Sequence, residues 1–312
     1  MTYDELMSAL AGLRRAQISS RRAPHKPLLV LWLLGRFLAS GSTVVTYDEA
    51  EEPVSRLIND FGPIVTSRSR ARERAAMPFV HLERGLWDLR DLEGQDIGPG
   101  APERGSWLRV RGAHGRLRPE VETLLAAPGT LVAAARLLLE QHFTPALEAP
   151  ICEAVGLDLA GMDEAAPMPT GRKRRTRRAG FVEEVLHAYA YACAFCGFDG
   201  ALGRNPVGLE AAHVRWHSQD GPDEVHNGLA LCSLHHTLLD LGVLGLLPGP
   251  RIQVSPLYVT RSAAGKAVYA LHGEPVATPR PGRPAIDAAF VLWHGRQVFK
   301  RPGAVTSDVR LC

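Results

Sequence analysis

Three of the five cysteines fall in one stretch, as Cys193-x-x-Cys196 and then Cys232, and His235 follows Cys232 at the same spacing. This pattern constrains the fold more than any other feature. Four thiolate and imidazole ligands in two knuckles make a closed tetrahedral set, which is the donor set of a structural Zn²⁺. One CxxC alone could be chance or a pair of buried thiols. The second knuckle, in a chain this poor in cysteine, points to zinc. Cys152 and Cys312 stand apart, so the distribution reads as one metal site and two free thiols, not a disulfide scaffold.

The chain has 312 residues, enough for two domains that each bury a core. Hydrophobic residues at 46% and charged residues at 22% are ordinary for a soluble globular protein. The longest apolar run, Pro27 to Leu34, is far short of the roughly 20 residues a membrane span needs. The N-terminus shows no secretory signal pattern, and the expectation is a cytoplasmic protein. A net charge of +3 is too small to argue for a nucleic-acid partner; local clusters of Lys and Arg matter more.

The pattern of elements predicts an α+β chain, with a mainly helical domain over 1–158, a basic linker over 159–180 and a metal-stapled domain over 181–312. Helical periodicity runs from Tyr3 to Ala16 and again from Pro24 to Gly41, the second helix apolar on nearly every side. Thr43 to Tyr47 reads as a strand, Glu51 to Phe61 as a helix and Leu131 to His142 as a strong helix. Phe79 to Leu82 and Leu86 to Leu89, with Arg84-Gly85 between, read as a hairpin. Arg68, Arg70, Arg72 and Arg74 alternate, so in an extended segment they would share one face, either as a solvated edge or as a row for phosphates. The basic run Arg172 to Arg178 could track DNA or be only a soluble linker. The second domain begins with a helix from Phe181 to Tyr191 and ends with strands around Arg251 to Ser255 and a helix from about Ala285 to Lys300.

Between and beside the metal knuckles stand His213, Asn227 and His236, in the segments LEAAHV (209–214), NGLALC (227–232) and SLHHTLLDLG (233–242). Their order and spacing resemble the HNH endonuclease family, whose ββα-metal module grips a catalytic divalent ion. That resemblance implies that His213 is the general base that activates water, a task suited to a group titrating near neutral pH. It also implies that Asn227 holds the histidine or the metal in register, and that His236 binds Mg²⁺ or Mn²⁺ to neutralise charge on the scissile phosphate. One departure stands out. Many members carry Asp or His just before the base histidine as a metal ligand, and here that position is Ala212. Glu210 is the nearest carboxylate, but strand alternation turns it away from His213 unless a bulge intervenes. Asp240 is another candidate. His187, His217 and His226 read as surface or satisfied residues.

In the N-terminal half, RRAPHKPLLVLWLLGR (21–36) and MPFVHLERGLWDL (77–89) resemble the sulfur-binding domain of phosphorothioate-dependent, McrA-like type IV restriction endonucleases. There a helical DNA-reading domain precedes an HNH nuclease. The resemblance covers nearly the whole chain, including the C-terminal segment with Trp293, His294, Val298 and Phe299. The chemistry can be argued without it. A phosphorothioate sulfur is larger and more weakly hydrated than the oxygen it replaces, so an apolar wall costs less to fill with sulfur. Met77, Pro78 and Phe79 could form such a wall, while Arg22, His25 and Lys26 hold flanking phosphates. The competing reading has Phe79 facing the interior, Pro78 merely starting the strand, and His25 and Lys26 solvated.

The partner expected is double-stranded, phosphorothioated DNA, with no membrane involved and a two-fold homodimer suited to cutting both strands. Two other readings stay open. The N-terminal domain could read another modification, such as a methylated base, or the zinc module could be a non-catalytic DNA-binding scaffold.

Overall fold

The computed structural model describes residues 1–14, 17–18, 21–63, 65, 67–159, 161–162 and 180–302. The basic run 172–178 and Cys312 lie outside the described residues. The chain divides into two compact units, Met1–Thr170 and Gly171–Cys312.

The first unit is built around one apolar helix. After α1 (Tyr3–Ala11) and a short ribbon of β1 (Gln17–Ile18) with β2 (Arg21–Arg22), the chain enters α2 (His25–Ser40). Pro24 precedes its first turn, where a missing N–H costs nothing, and Gly41 ends it in the left-handed conformation (φ 72°). Leu28, Leu29, Leu31, Leu33 and Leu34 are all buried. Gly35 lets a second element approach: a Cβ there would lie 1.8 Å from the Val155 carbonyl oxygen. That oxygen belongs to α9 (Pro145–Val155), which follows α6 (Gly105–Val110), α7 (Pro119–Leu125) and α8 (Pro128–His142) along the chain.

Beside the helices, β3 (Val45–Thr46), β5 (His114–Leu117) and β4 (Trp87–Arg90) form an antiparallel sheet in that order. The expected strand at 43–47 shortens because Thr46 caps α3 (Tyr47–Phe61) in a reciprocal capping box with Glu49, so Tyr47 is already helical. The first helix likewise stops at Ala11, short of Ala16.

Two expectations are corrected. Residues 79–82 are not a strand: α5 (Ala76–His81) takes Phe79, and the partner of β4 is β5. Pro78 is tolerated because it stands in the first helical turn, where its N–H would have no partner. Nor do the four arginines form an extended row. Arg68–Arg72 is a short helix, α4, capped by Ser67, and Arg74 turns into the interior.

In the second unit, α10 (Phe181–Ala188) packs on the antiparallel pair β8 (Leu209–His213) and β9 (Gly228–Cys232), with a small hairpin of β6 (Ala201–Leu202) and β7 (Asn205–Pro206) before them. The β8–β9 register runs without a bulge from Leu209 opposite Cys232 to His213 opposite Gly228. Cys232 is the N-cap of α11 (Ser233–Asp240), so strand, strand and helix follow in the expected ββα order. The hairpin β10 (Leu244–Leu247) with β11 (Arg251–Val254), then α12 (Ala263–Ala270) and α13 (Ala288–Gln297), complete the unit. Phe181, Val185, Leu229, Leu231, Leu239 and Ile252 share its core.

Candidate functional site

The two knuckles close on each other. One ligand atom from each of Cys193, Cys196, Cys232 and His235 lies within 4.8 Å of the others. His235 Nδ1 is 3.5 Å from Cys193 Sγ and 3.3 Å from Cys232 Sγ. A tetrahedral zinc with ordinary bond lengths separates S and N ligands by about 3.6 Å, so the donor set and its spacing fit. The thiols are already unlike one another. Burial acts to raise Cys193, but hydrogen bonds from His235 and from the backbone of Cys232, Cys196 and Phe195 bring it down to about 6. Burial pushes Cys196 up to about 12 and also raises Cys232.

His213, at the end of β8, is 7% exposed. Its ring stacks on Phe181 with centroids 4.4 Å apart, and its Nε2 lies 2.8 Å from Asp223 Oδ1. With the Asp223 carboxylate as acceptor, Nε2 is the ring nitrogen that donates. Asn227 is fully buried in the 3₁₀ turn Val225–Asn227. Its Oδ1 accepts from the Arg215 N–H (2.8 Å), and its Nδ2 donates to the carbonyls of Arg215 (2.9 Å) and Pro222 (3.0 Å). These three bonds tie together the loop that presents Asp223. Asn227 thus fixes the backbone around Arg215 and Pro222, next to the Asp223 that pairs with His213.

His236, in the first turns of α11, stands between two carboxylates. Its Nδ1 is 2.6 Å from Glu210 Oε2, and its Nε2 is 3.4 Å from Asp240 Oδ2. Glu210 also accepts from Ser233 Oγ at 2.7 Å. Asp240 is buried and Glu210 exposed. The C-terminal segment braces this helix: buried His294 on α13 donates from Nε2 to the Leu239 carbonyl at 3.0 Å.

In the first unit Lys26 and Glu83 join the segments 21–36 and 77–89, and His25 pairs with Arg74, just upstream of the second. His25 Nε2 accepts from Arg74 at 3.1 Å, and Arg74 also donates to the Ile58 carbonyl and Asn59 Oδ1. Burial lowers the Arg74 guanidinium to about 10. Lys26 Nζ is paired with Glu83 Oε1 at 2.6 Å, and the same oxygen accepts from the Arg14 N–H. His25 (6% exposed) and Lys26 (8%) are therefore not solvated. Phe79 is fully buried, edge-to-face with both Tyr47 and Trp87 at 5.3 Å, and the Trp87 indole donates to its carbonyl. This corrects its expected place on an exposed wall: it is core. Met77 is half-buried and Pro78 buried. The backbone of Arg22 lies in β2, and its side chain is outside the described residues.

Residues 3–160, just over half of the chain, match the family model described as ScoMcrA-like, DNA sulfur-binding domain. The chain belongs to this family. Downstream of the sulfur-binding domain, residues 193–246 match the HNH endonuclease model. Three solved structures resemble it. The sulfur binding domain of SprMcrA complexed with phosphorothioated DNA is 22% identical, over 50% of this chain and 95% of that one, with a TM-score of 0.42. The corresponding ScoMcrA domain complex is 22% identical over 50% and 96%, with a TM-score of 0.41. The sulfur binding domain and SRA domain of ScoMcrA, complexed likewise, are 21% identical over 65% and 58%, at 0.45. Among curated proteins none matches.

The structure brings residues into the HNH domain's site that spacing did not single out. Asp223 is the chief one. It stands in a non-periodic loop with Asp220 and Glu224 close by, so nothing in the sequence says which carboxylate reaches His213. Arg74 and Glu83 of the sulfur-binding domain are two more, and both act as partners of residues already chosen.

Proposed function

We propose that this chain is a cytoplasmic, phosphorothioate-dependent DNA endonuclease, in which residues 1–158 find the modified duplex and residues 181–312 cut it nearby. What carries this reading is the order of the two family matches in one chain, 3–160 and then 193–246. The pairing of His213 with Asp223 adds a chemical reason to expect activity rather than a scaffold, because a scaffold needs only Cys193, Cys196, Cys232, His235 and their Zn²⁺.

In the sulfur-binding domain, half-buried Met77 supplies apolar surface for sulfur, and the buried Pro78 and Phe79 anchor its helix in the core. Arg22 and Lys26 contact flanking phosphates, Lys26 by exchanging its Glu83 partner for a phosphate oxygen. His25 acts through Arg74, holding α2 and the start of α5 together.

In the HNH domain, His213 takes the proton from the attacking water. Asp223 keeps the ring oriented and favours the imidazolium that results, as a carboxylate at hydrogen-bond distance does. Asn227 positions Asp223 through the loop it ties. His236 offers a nitrogen donor for a divalent ion, and Mg²⁺ or Mn²⁺ there would neutralise charge on the scissile phosphate and leaving oxygen. One such site hydrolyses one strand, so a two-fold dimer would serve double-strand cleavage.

The test is cleavage of phosphorothioated duplex in Mg²⁺ or Mn²⁺ by His213→Ala and Asp223→Asn variants. His213→Ala should lose about 10²- to 10⁴-fold in rate, the usual contribution of a general base, while keeping zinc and DNA binding. Asp223→Asn should lower kcat by about 10- to 100-fold and leave KM in place, because it acts through His213. Undiminished cutting by His213→Ala would show the base to be misassigned.

A further inference from the structure

Ala212 leaves the HNH site short of a side chain that many relatives use to hold the catalytic ion, and the geometry around α11 points to what replaces it. Strand alternation along the bulge-free β8 puts residues 210 and 212 on one face. Glu210 bonds to Ser233 and His236, both on α11, so that face looks toward the helix. The carboxylate two residues upstream of Ala212 therefore arrives on the side where the missing ligand would have stood. We propose that Glu210 is a ligand of the catalytic divalent ion, together with His236, and that Asp240 orients His236 from behind. This rests on the reading of the HNH domain as a metal-dependent nuclease.

The distances support a two-ligand site. Glu210 Oε2 and His236 Nδ1 are 2.6 Å apart, and neighbouring ligands of an octahedral Mg²⁺ stand about 3.0 Å apart, so a few tenths of an ångström of adjustment suffices. Mg²⁺ commonly takes only one or two protein ligands and fills its remaining positions with water and substrate phosphate. The asymmetry of exposure fits as well. Glu210 is on the solvent side, where DNA must approach, while Asp240 is 3% exposed and faces the other nitrogen at 3.4 Å. A metal-ligating histidine usually donates its second N–H to a carboxylate, and Asp240, one helical turn on from His236, is placed to accept it. In this arrangement Nδ1 ligates and Nε2 carries the proton.

The test is Mn²⁺ binding, followed by electron paramagnetic resonance of the free ion, to the zinc-loaded full chain and to Glu210→Gln, Glu210→Asp and His236→Ala. Mn²⁺ alone is the probe, with no DNA. Glu210→Gln should weaken Mn²⁺ binding about tenfold or more, Glu210→Asp by less, and His236→Ala at least as much as Glu210→Gln. Zinc content and melting temperature should not change in the Glu210 variants, since Glu210 is exposed. If Mn²⁺ binds Glu210→Gln as it does the wild type while His236→Ala loses it, the ligand role of Glu210 is wrong and the metal-centre reading stands. If His236→Ala also binds normally, the metal centre itself is misplaced and both readings fall.

Discussion

Met77 and Phe79 stand two residues apart on α5, and a helix sends side chains at that spacing to opposite sides. The structure obeys this: Met77 is half-buried and Phe79 wholly enclosed between Tyr47 and Trp87. On a strand the two would have shared a face. The two substitutions should therefore separate. Phe79→Ala should destabilise the sulfur-binding unit by about 3–5 kcal/mol, the range for removing a buried aromatic, as measured by denaturant unfolding. Met77→Ala should leave stability nearly unchanged and weaken binding to phosphorothioated duplex. At this scale the clustering of Cys193, Cys196, Cys232 and His235 was legible, because a zinc knuckle is written in local spacing. Asp223, Arg74 and Glu83 were not, because each matters through a partner 10, 49 or 57 residues away.

Among the elements, long helices were easiest to read. A full turn of burial repeats several times along α2 and α8, whereas four residues such as 79–82 hold too few positions to distinguish the two periods. Capping decided the boundaries that shifted, as Thr46 does for α3. The sheet needs a different glue. Thr43 donates from both N and Oγ1 to Glu122 Oε1 (2.8 and 2.5 Å), accepts from Leu117 N at 2.8 Å, and Arg116 pairs with the other Glu122 oxygen. Burial acts to raise the Glu122 carboxyl, but the bonds from Thr43 and Arg116 overcome it and hold the group below its ordinary range. A depressed folded-state value means that its stabilisation is present above the unfolded carboxylate range, near pH 4.3, and is lost as pH falls through the folded value. Thermal melts should then show Glu122→Gln less stable than wild type at pH 7, with the gap closing as the solution is acidified. In the second unit, the strand pair and α11 are stapled by the cysteine–histidine set. With Zn²⁺ in that set, as proposed, a chelator should abolish the folding transition of residues 181–312, because metal binding is folding energy in a unit of this kind. The transition of the sulfur-binding unit should survive, and calorimetry can follow both.

For the whole molecule, the division of labour follows from what each half can do. On the proposed mechanism, hydrolysis by a histidine and a divalent ion has little preference for where it acts, and the address comes from the N-terminal half. The family of the N-terminal half says what kind of address to expect, the Lys26–Glu83 pair locks its two sequence segments together, and the buried His25–Arg74 pair ties the first to its neighbour. No described helix is long and apolar enough to cross a membrane by itself. The two-domain order was readable because its second half carries a local metal motif, while the chemistry of the first half depends on which side chains a helix turns outward.

The most direct measurement of the central claim is electrophoretic-shift binding of the full chain, with no Mg²⁺ or Mn²⁺ added, to two matched duplexes. One carries a single stereodefined phosphorothioate and the other only ordinary phosphate. Several flanking sequences are used, at physiological salt so that non-specific phosphate contacts are weak. Clear preference for the sulfur duplex is expected in at least one context, reduced by Met77→Ala. Equal affinity for both duplexes in every context would contradict it, leaving an HNH nuclease directed by something other than sulfur.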